Sequence, residues 1–233
     1  MQLTIETFIE RKNEIDLYFS AIKQLYESKD NMDENYVDYE KDFHKDEFLK
    51  ILKSNILLMI YNLIESSVMG GILEIYNELK TQHLSYQAVS DEIKNIWFSS
   101  IFDQVYDKTA HFNSYRNKAN EIITSILSNE TIILDRNATG ISGNLSAEEI
   151  RKICSSHGIY FCTPAGCRGG LVLEDVKDKR NQLAHGTLSF VECGRNYTVD
   201  DLEKIKNETN IFLNSLLINM KQYYDEQRYK IAT

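Results

Sequence analysis

The segment from Phe48 to about Leu79 constrains this chain more than any other. It runs Phe48-Leu49-Lys50-Ile51-Leu52 through Ile56-Leu57-Leu58-Met59-Ile60-Tyr61 without a turn-forming cluster. As a helix it would reach about 48 Å at about 1.5 Å per residue. Being apolar nearly all round as far as Val68, it is expected to be a central core helix that other elements must cover. A single proline, Pro164, and ten glycines in 233 residues favour long helices over a turn-rich sandwich or barrel. The expected fold is an all-α bundle in one domain spanning 1–233.

The flanking segments supply the cover. Residues 4–28 carry Phe8, Ile15 and Ile22 at seven-residue intervals, with Tyr18 and Leu25 three further on, which predicts one apolar stripe. Gly70-Gly71 is expected to kink or loosen the central helix. Helices are expected from Ser85 to Tyr106 (Val89, Ile93, Ile96, Trp97, Ile101 and Phe102 inward) and from Asn113 to Ser128 (Ala119, Ile122, Ile123, Ile126 and Leu127 inward). Between about 129 and 170 the periodicity fails, predicting an irregular insertion in which Thr131-Ile132-Ile133-Leu134 would form a short strand. Within it, Ser146-Ala147-Glu148-Glu149 reads as a capping box opening a short helix that Gly158 closes. A helix is expected from Val172 to His185. After a link through Gly194, Thr198 caps a last helix with Leu202, Ile205, Phe212, Leu216, Met220 and Tyr223 inward.

Charge narrows the function classes. A net charge of −9 argues against a protein that coats nucleic acid indiscriminately. Residues 29–47 hold eight acids against three lysines and read as a solvated acidic loop. Residues 151–195 run the other way, with seven basic residues against four acidic ones, which favours a local anion site. No membrane-spanning apolar run or signal-peptide pattern is apparent, and the four cysteines read as reduced thiols, so a cytoplasmic protein is expected.

The chemistry-bearing stretch is Lys179-Arg180-Asn181-Gln182-Leu183-Ala184-His185-Gly186. Arginine holds phosphate and histidine moves protons near neutral pH. On an ideal helix the two lie about 140° apart and about 7.5 Å along the axis, so both can border one cleft if the helix ends at His185. Gly186 suits that stop. Spacing alone is weak, because Arg151 and His157, also followed by a glycine, nearly reproduce it. In the central helix Asn62, Glu65, Ser66 and Met69 share one face, and Glu65 needs a cation or a polar cleft there. Cys154, His157, Cys162 and Cys167 match no common zinc spacing and read as free side chains, so no metal is expected.

The seven residues Arg180-Asn181-Gln182-Leu183-Ala184-His185-Gly186 resemble the R-x4–6-H motif of HEPN domains, including the polar residue after the arginine. Ile60-Tyr61-Asn62-Leu63-Ile64-Glu65-Ser66, Gly143-Asn144-Leu145-Ser146-Ala147-Glu148-Glu149-Ile150-Arg151 and Phe190-Val191-Glu192-Cys193-Gly194-Arg195 are similar to the MAE-type branch of HEPN nucleases, over roughly residues 45–225. The resemblance implies a helical bundle that dimerises, bringing two motifs together in a metal-independent endoribonuclease with no cofactor, often a toxin or antiphage effector. By that resemblance Arg180 binds and polarises the scissile phosphate, Asn181 assists and His185 transfers the proton. Glu65 and Asn62 are expected to support them, and Lys177, Lys179 and Arg195 to contact RNA. The implied partners are an RNA substrate, a second copy of the chain, and an antitoxin or defence-system protein. Some HEPN toxins carry a tyrosine two residues after the histidine as a modification target; here that residue is Thr187. The alternative is a catalytically silent HEPN-like module that binds RNA or protein.

Overall fold

The computed structural model describes residues 1–30, 39–103 and 112–231. Within them the chain forms α1 (Gln2–Asp30), α2 (Tyr39–Thr81), α3 (Asp91–Asp103), α4 (Phe112–Leu127), α5 (Ala147–Ser156), α6 (Leu171–Ala184), α7 (Phe190–Arg195) and α8 (Val199–Asp225). Single 3₁₀ turns lie at Tyr86–Ala88, Arg136–Thr139 and Arg168–Gly170. Among the described residues there is no regular strand. Thr131 makes only an isolated bridge to Ser85, so the expected strand at 131–134 has no partner to extend it. Its alternation survives: Ile132 and Leu134 are buried while Ile133 is exposed.

The expected central helix is α2, and it is longer than the periodicity suggested. At 43 residues it spans about 65 Å. Its first turns take in Tyr39 to Glu47, the second half of the expected acidic loop; residues 31–38 of that loop lie outside the described residues. Asp46 pairs with Lys50 one turn on, the i,i+4 order that supports a helix, so the charge pattern there builds a helix rather than breaking one. Ile56, Leu57, Ile60, Ile64, Val68 and Ile72 are essentially inaccessible to solvent, each stabilising the fold by about 1.5–3 kcal/mol. By length and hydropathy Lys45–Thr81 would qualify as a membrane span, contrary to the sequence expectation. Its apolar surface is instead covered by α1, α6, α7 and α8, as in the core helix of a bundle.

Two glycine features set how closely those helices approach. Gly70-Gly71 does not break α2. A Cβ on Gly71 would lie 2.5 Å from the sulfur of Met220 on α8, and one on Gly70 would lie 3.1 Å from Thr4 on α1. The pair therefore makes room for neighbours instead of bending the chain. The second feature belongs to α7, a helix the sequence reading treated as a link. Its start is a full capping box between Ser189 and Glu192, a signal that was present in the sequence. Gly194 then lies so close to α2 that a Cβ would fall 1.9 Å from the Lys50 carbonyl oxygen.

The outer helices follow the expected stripes with some exceptions. Phe8, Ile15 and Ile22 of α1 are buried, but Phe19 completes the stripe while Leu25 is exposed. On α4, Ile122 is buried whereas Ile123 and Leu127 are exposed, because this helix meets the bundle along a narrow edge. All six expected positions of α8 are buried, and Thr198 opens it with a capping box to Asp201. Lys23–Glu203 (2.9 Å) and Lys206–Asp16 (2.6 Å) tie α8 to α1 across the outside. The 3₁₀ turn at Tyr86–Ala88 delays α3 to Asp91, and Tyr106 lies outside the described residues.

The decoy pair separates cleanly. Arg151 donates to Thr163 Oγ1 (2.9 Å) and the Gly169 carbonyl (3.3 Å), bracing the loop before α6. His157 is buried, hydrogen-bonded to the Tyr76 hydroxyl (2.7 Å) and, through Nδ1, to the Ile153 carbonyl (2.7 Å). Burial pulls its pKa down to about 4. The fold thus favours the neutral ring, so stability is fully present above about 6.5, the unfolded value, and drains away as pH falls toward 4. Urea titrations should show a loss of about 1.5 kcal/mol between pH 6.5 and 5 that His157→Gln removes; equal slopes for both proteins would refute this origin. Gly194→Ala should cost at least about 1–3 kcal/mol by thermal melting, since its Cβ meets backbone that cannot step aside.

Candidate functional site

The second turn of α6 rests on the middle of α2, and this contact builds the site. Val172, Leu173, Val176 and Leu183 form the buried face of α6. Arg180, four residues after Val176 and three before Leu183, sits at the border of that face and reaches across to α2. Its guanidinium lies over the ring of Tyr61, 4.4 Å from the centroid, a cation–π contact. Nη2 is 3.7 Å from Oε2 of Glu65, one turn along α2 from Tyr61. That pair attracts but is too long for a hydrogen bond, so most of the guanidinium's donors stay uncommitted. Nη1 donates to the Asn181 side-chain oxygen (2.8 Å).

Asn181 and Tyr61 connect the arginine to the segment before α5. The Asn181 amide donates to Oδ1 of Asn144 (2.7 Å). The buried Tyr61 hydroxyl donates to the Gly143 carbonyl and accepts from the Leu145 N–H (3.2 Å). Burial pushes its pKa up, with the Arg180 charge opposing, so the phenol remains the neutral donor this bridge requires. Gly143 itself is left-handed (φ +80°), with the Arg180 guanidinium nearby. The Gly143-Asn144-Leu145 turn therefore backs the Arg180–Asn181 pair. No short-range pattern marks Tyr61 or Asn144; their roles arise only where α2, α6 and this turn meet.

His185 closes the helix. The Gly186 N–H bonds to the Leu183 carbonyl (3.2 Å) and the Thr187 N–H to that of Gln182 (3.0 Å), with Gly186 left-handed (φ +69°). This is the two-bond αL stop that glycine favours. The His185 ring is exposed and makes no side-chain hydrogen bond among the described residues. It is one and a half turns beyond Arg180, without direct contact within the chain. The Thr187 hydroxyl donates to the Gln182 carbonyl (3.2 Å), so it reinforces the cap.

The remaining expected residues divide. Glu65 is one-quarter exposed and sits between Arg180 and Arg136, whose Nη2 is 3.6 Å from Oε1. No local sequence signal marks Arg136, because it arrives from the 3₁₀ turn of the irregular region. Asn62 is exposed on the next part of the same face. Lys177 is on α6 one turn before Arg180, but its ammonium pairs with Glu174 and with Asp178 (3.3 Å). Lys179 approaches Gln182 Oε1 (3.4 Å). Arg195 is exposed on α7, next to the glycine that abuts Lys50, roughly 16 Å along α2 from Tyr61, so it is not part of this cluster. Cys154 and Cys167 are buried and Cys162 is exposed. Among the described residues no group of three or more His, Cys, Asp and Glu is placed to hold a metal ion.

Compared with known proteins, residues 2–229 match the model of a HEPN family of the MAE-like type. No curated protein and no solved structure matches the chain. The geometry around Tyr61 makes a stability test direct. Tyr61→Phe keeps the ring beneath Arg180 but strands the Gly143 carbonyl and Leu145 N–H, which should cost about 1–3 kcal/mol in urea unfolding. An unchanged midpoint would show that the hydroxyl bridge contributes nothing.

Proposed function

Since the chain belongs to the HEPN family over nearly its whole length, a family of nucleases and RNA-binding modules, we propose that it is a metal-independent endoribonuclease working as a homodimer. The observation that supports this reading best is the division of labour on one helix. Arg180 is held in place by Tyr61, Glu65 and Asn181 yet keeps free donors, and the same helix ends in an exposed His185 whose ring has no hydrogen-bond partner among the described residues.

In the proposed reaction Arg180 and the Asn181 amide hold the non-bridging oxygens of the scissile phosphate and offset the negative charge that grows there. The ribose 2′-hydroxyl attacks the adjacent phosphorus, and the bond to the 5′-oxygen breaks. One imidazole takes the 2′-hydroxyl proton and a second gives a proton to the departing 5′-oxygen. Each chain supplies one His185, so two copies facing each other would supply both. The products are a 2′,3′-cyclic phosphate and a 5′-hydroxyl, and the nucleophile belongs to the substrate, so the reaction needs no metal-activated water. The role we propose is that of a toxin or antiphage effector. Thr187, committed to the helix cap, replaces the tyrosine that some HEPN toxins offer for modification, so silencing would take another route.

Purified protein incubated with single-stranded and structured RNA in EDTA tests this reading. Wild type should cleave both or one of them to cyclic-phosphate ends. His185→Ala should lose about 10²–10⁴-fold in rate and Arg180→Ala about 10²–10³-fold. Cleavage that vanishes in EDTA, or that survives His185→Ala undiminished, would sink the mechanism. RNA bound but never cut would instead identify a silent binding module.

A further inference from the structure

Beside the Arg180 contact, the outer face of α2 forms a depression of about 300 Å³ lined by Arg11, Asn62, Glu65, Ser66, Met69 and Arg136. Its volume is at the lower end of the range for small-ligand sites. Two guanidiniums border it. Arg11, from α1, makes a single long hydrogen bond, 3.5 Å to the Asn62 carbonyl. Arg136 is 71% exposed, and its side chain makes no hydrogen bond among the described residues. Among the described residues it forms an ion pair with Oε1 of Glu65, at 3.6 Å, while the other oxygen of that carboxylate faces Arg180.

Charge and geometry both favour an anion here. Arg136 and Arg180 flank the Glu65 carboxylate, and Arg11 borders the same depression, so guanidiniums outnumber carboxylates along its lining, with Glu14 beside Arg11 and Asp135 next to Arg136 as further acids nearby. Asn62 adds a neutral hydrogen-bonding group to the lining, while the Ser66 hydroxyl there already donates to the Leu63 carbonyl (3.2 Å). Glu65 holds the Arg136 and Arg180 heads on its two oxygens at ion-pair range, too long for hydrogen bonds, so each keeps donors for a phosphate of its own. Guanidinium is the group suited to planar, multidentate contact with phosphate.

We propose that Arg136 and Arg11 form a second phosphate subsite, which holds the RNA phosphate neighbouring the one seated at Arg180. The proposal rests on the nuclease reading above for the identity of the first phosphate. It makes Arg136 a specificity determinant for substrate length: an RNA with a flanking phosphate fills both seats, and a dinucleoside monophosphate fills one. It also assigns Glu65 a positioning role, aligning two arginines from different elements, rather than a role at the reacting atoms.

Binding decides the question independently of cleavage. A fluorescein-labelled RNA 12-mer is titrated by anisotropy onto the non-cleaving His185→Ala protein, with and without Arg136→Gln, from 50 to 300 mM salt. The expected result is about tenfold weaker binding and a salt slope shallower by about 0.7, the value for one phosphate contact on a single strand. Arg11→Gln should weaken binding in the same direction, and Arg136→Lys should restore part of the loss. With His185 restored, Arg136→Gln should raise KM on the 12-mer much more than on a dinucleoside monophosphate, with kcat less affected. Unchanged affinity and slope, or equal losses on both substrates, would overturn the subsite while leaving the nuclease reading intact. RNA binding that depends on Arg136 in a protein that never cleaves would keep the subsite and discard the nuclease. Absence of RNA binding would overturn both.

Discussion

A helix of 43 residues that is apolar around most of its circumference has no stable existence in water alone, and this molecule is arranged to cover it. α1 and α8 lie along its sides, α6 and α7 press on its N-terminal and middle turns, and the irregular region folds over what remains. The site is a by-product of that covering. Where α6 lies down on α2, its buried face ends at Val176 and Leu183, and the residue between them that cannot be buried bare is Arg180. Tyr61 solves the problem by offering an aromatic face, which desolvates the guanidinium at modest cost and keeps it charged.

The polar groups around this contact are few and shared. Tyr61 uses its ring for Arg180 and its hydroxyl for the Gly143-Asn144-Leu145 turn, while Asn181 bonds both to Arg180 and to Asn144. The turn and the arginine are therefore anchored to the same two side chains. Glu65, which any core helix would pay heavily to bury unpaired, is instead placed at the rim between two arginines. The same logic separates the two Arg/His pairs of the sequence. Arg151 and His157 spend their hydrogen bonds on the scaffold, whereas Arg180 commits one donor, to Asn181, and the His185 ring makes no hydrogen bond among the described residues.

Much of this was legible in one dimension. The apolar run marked α2, seven-residue spacing marked α1, a capped apolar stripe marked α8, and Gly186 marked the end of α6, because these signals depend on residues close in sequence. What escaped depends on residues far apart. Arg136 joins Glu65 only because the 3₁₀ turn at Arg136–Thr139 packs beside α2, and nothing near Arg136 in the sequence says so. Gly70-Gly71 looked like a hinge because local propensity cannot see Met220 and Thr4 pressing from outside. Arg195 looked like part of a basic patch because charge was counted along the chain, while α7 carries it to another section of α2. The helix α7 itself was a misreading of available text, since Ser189 and Glu192 spelled its capping box.

The αL closure of α6 has a consequence for how this molecule can change over evolutionary time. The stop is made by backbone groups of Gln182, Leu183, Gly186 and Thr187 and by glycine's conformational freedom, with no contribution from the His185 ring. Among the described residues no hydrogen bond therefore depends on the imidazole. Arg180 and Tyr61 are different, because their loss disturbs packing and a buried polar bridge as well as the site. On the proposed mechanism, stability and chemistry are thus uncoupled at one end of the motif and entangled at the other. On the same mechanism, a lineage under pressure to lose activity would find the histidine the least costly place to drift.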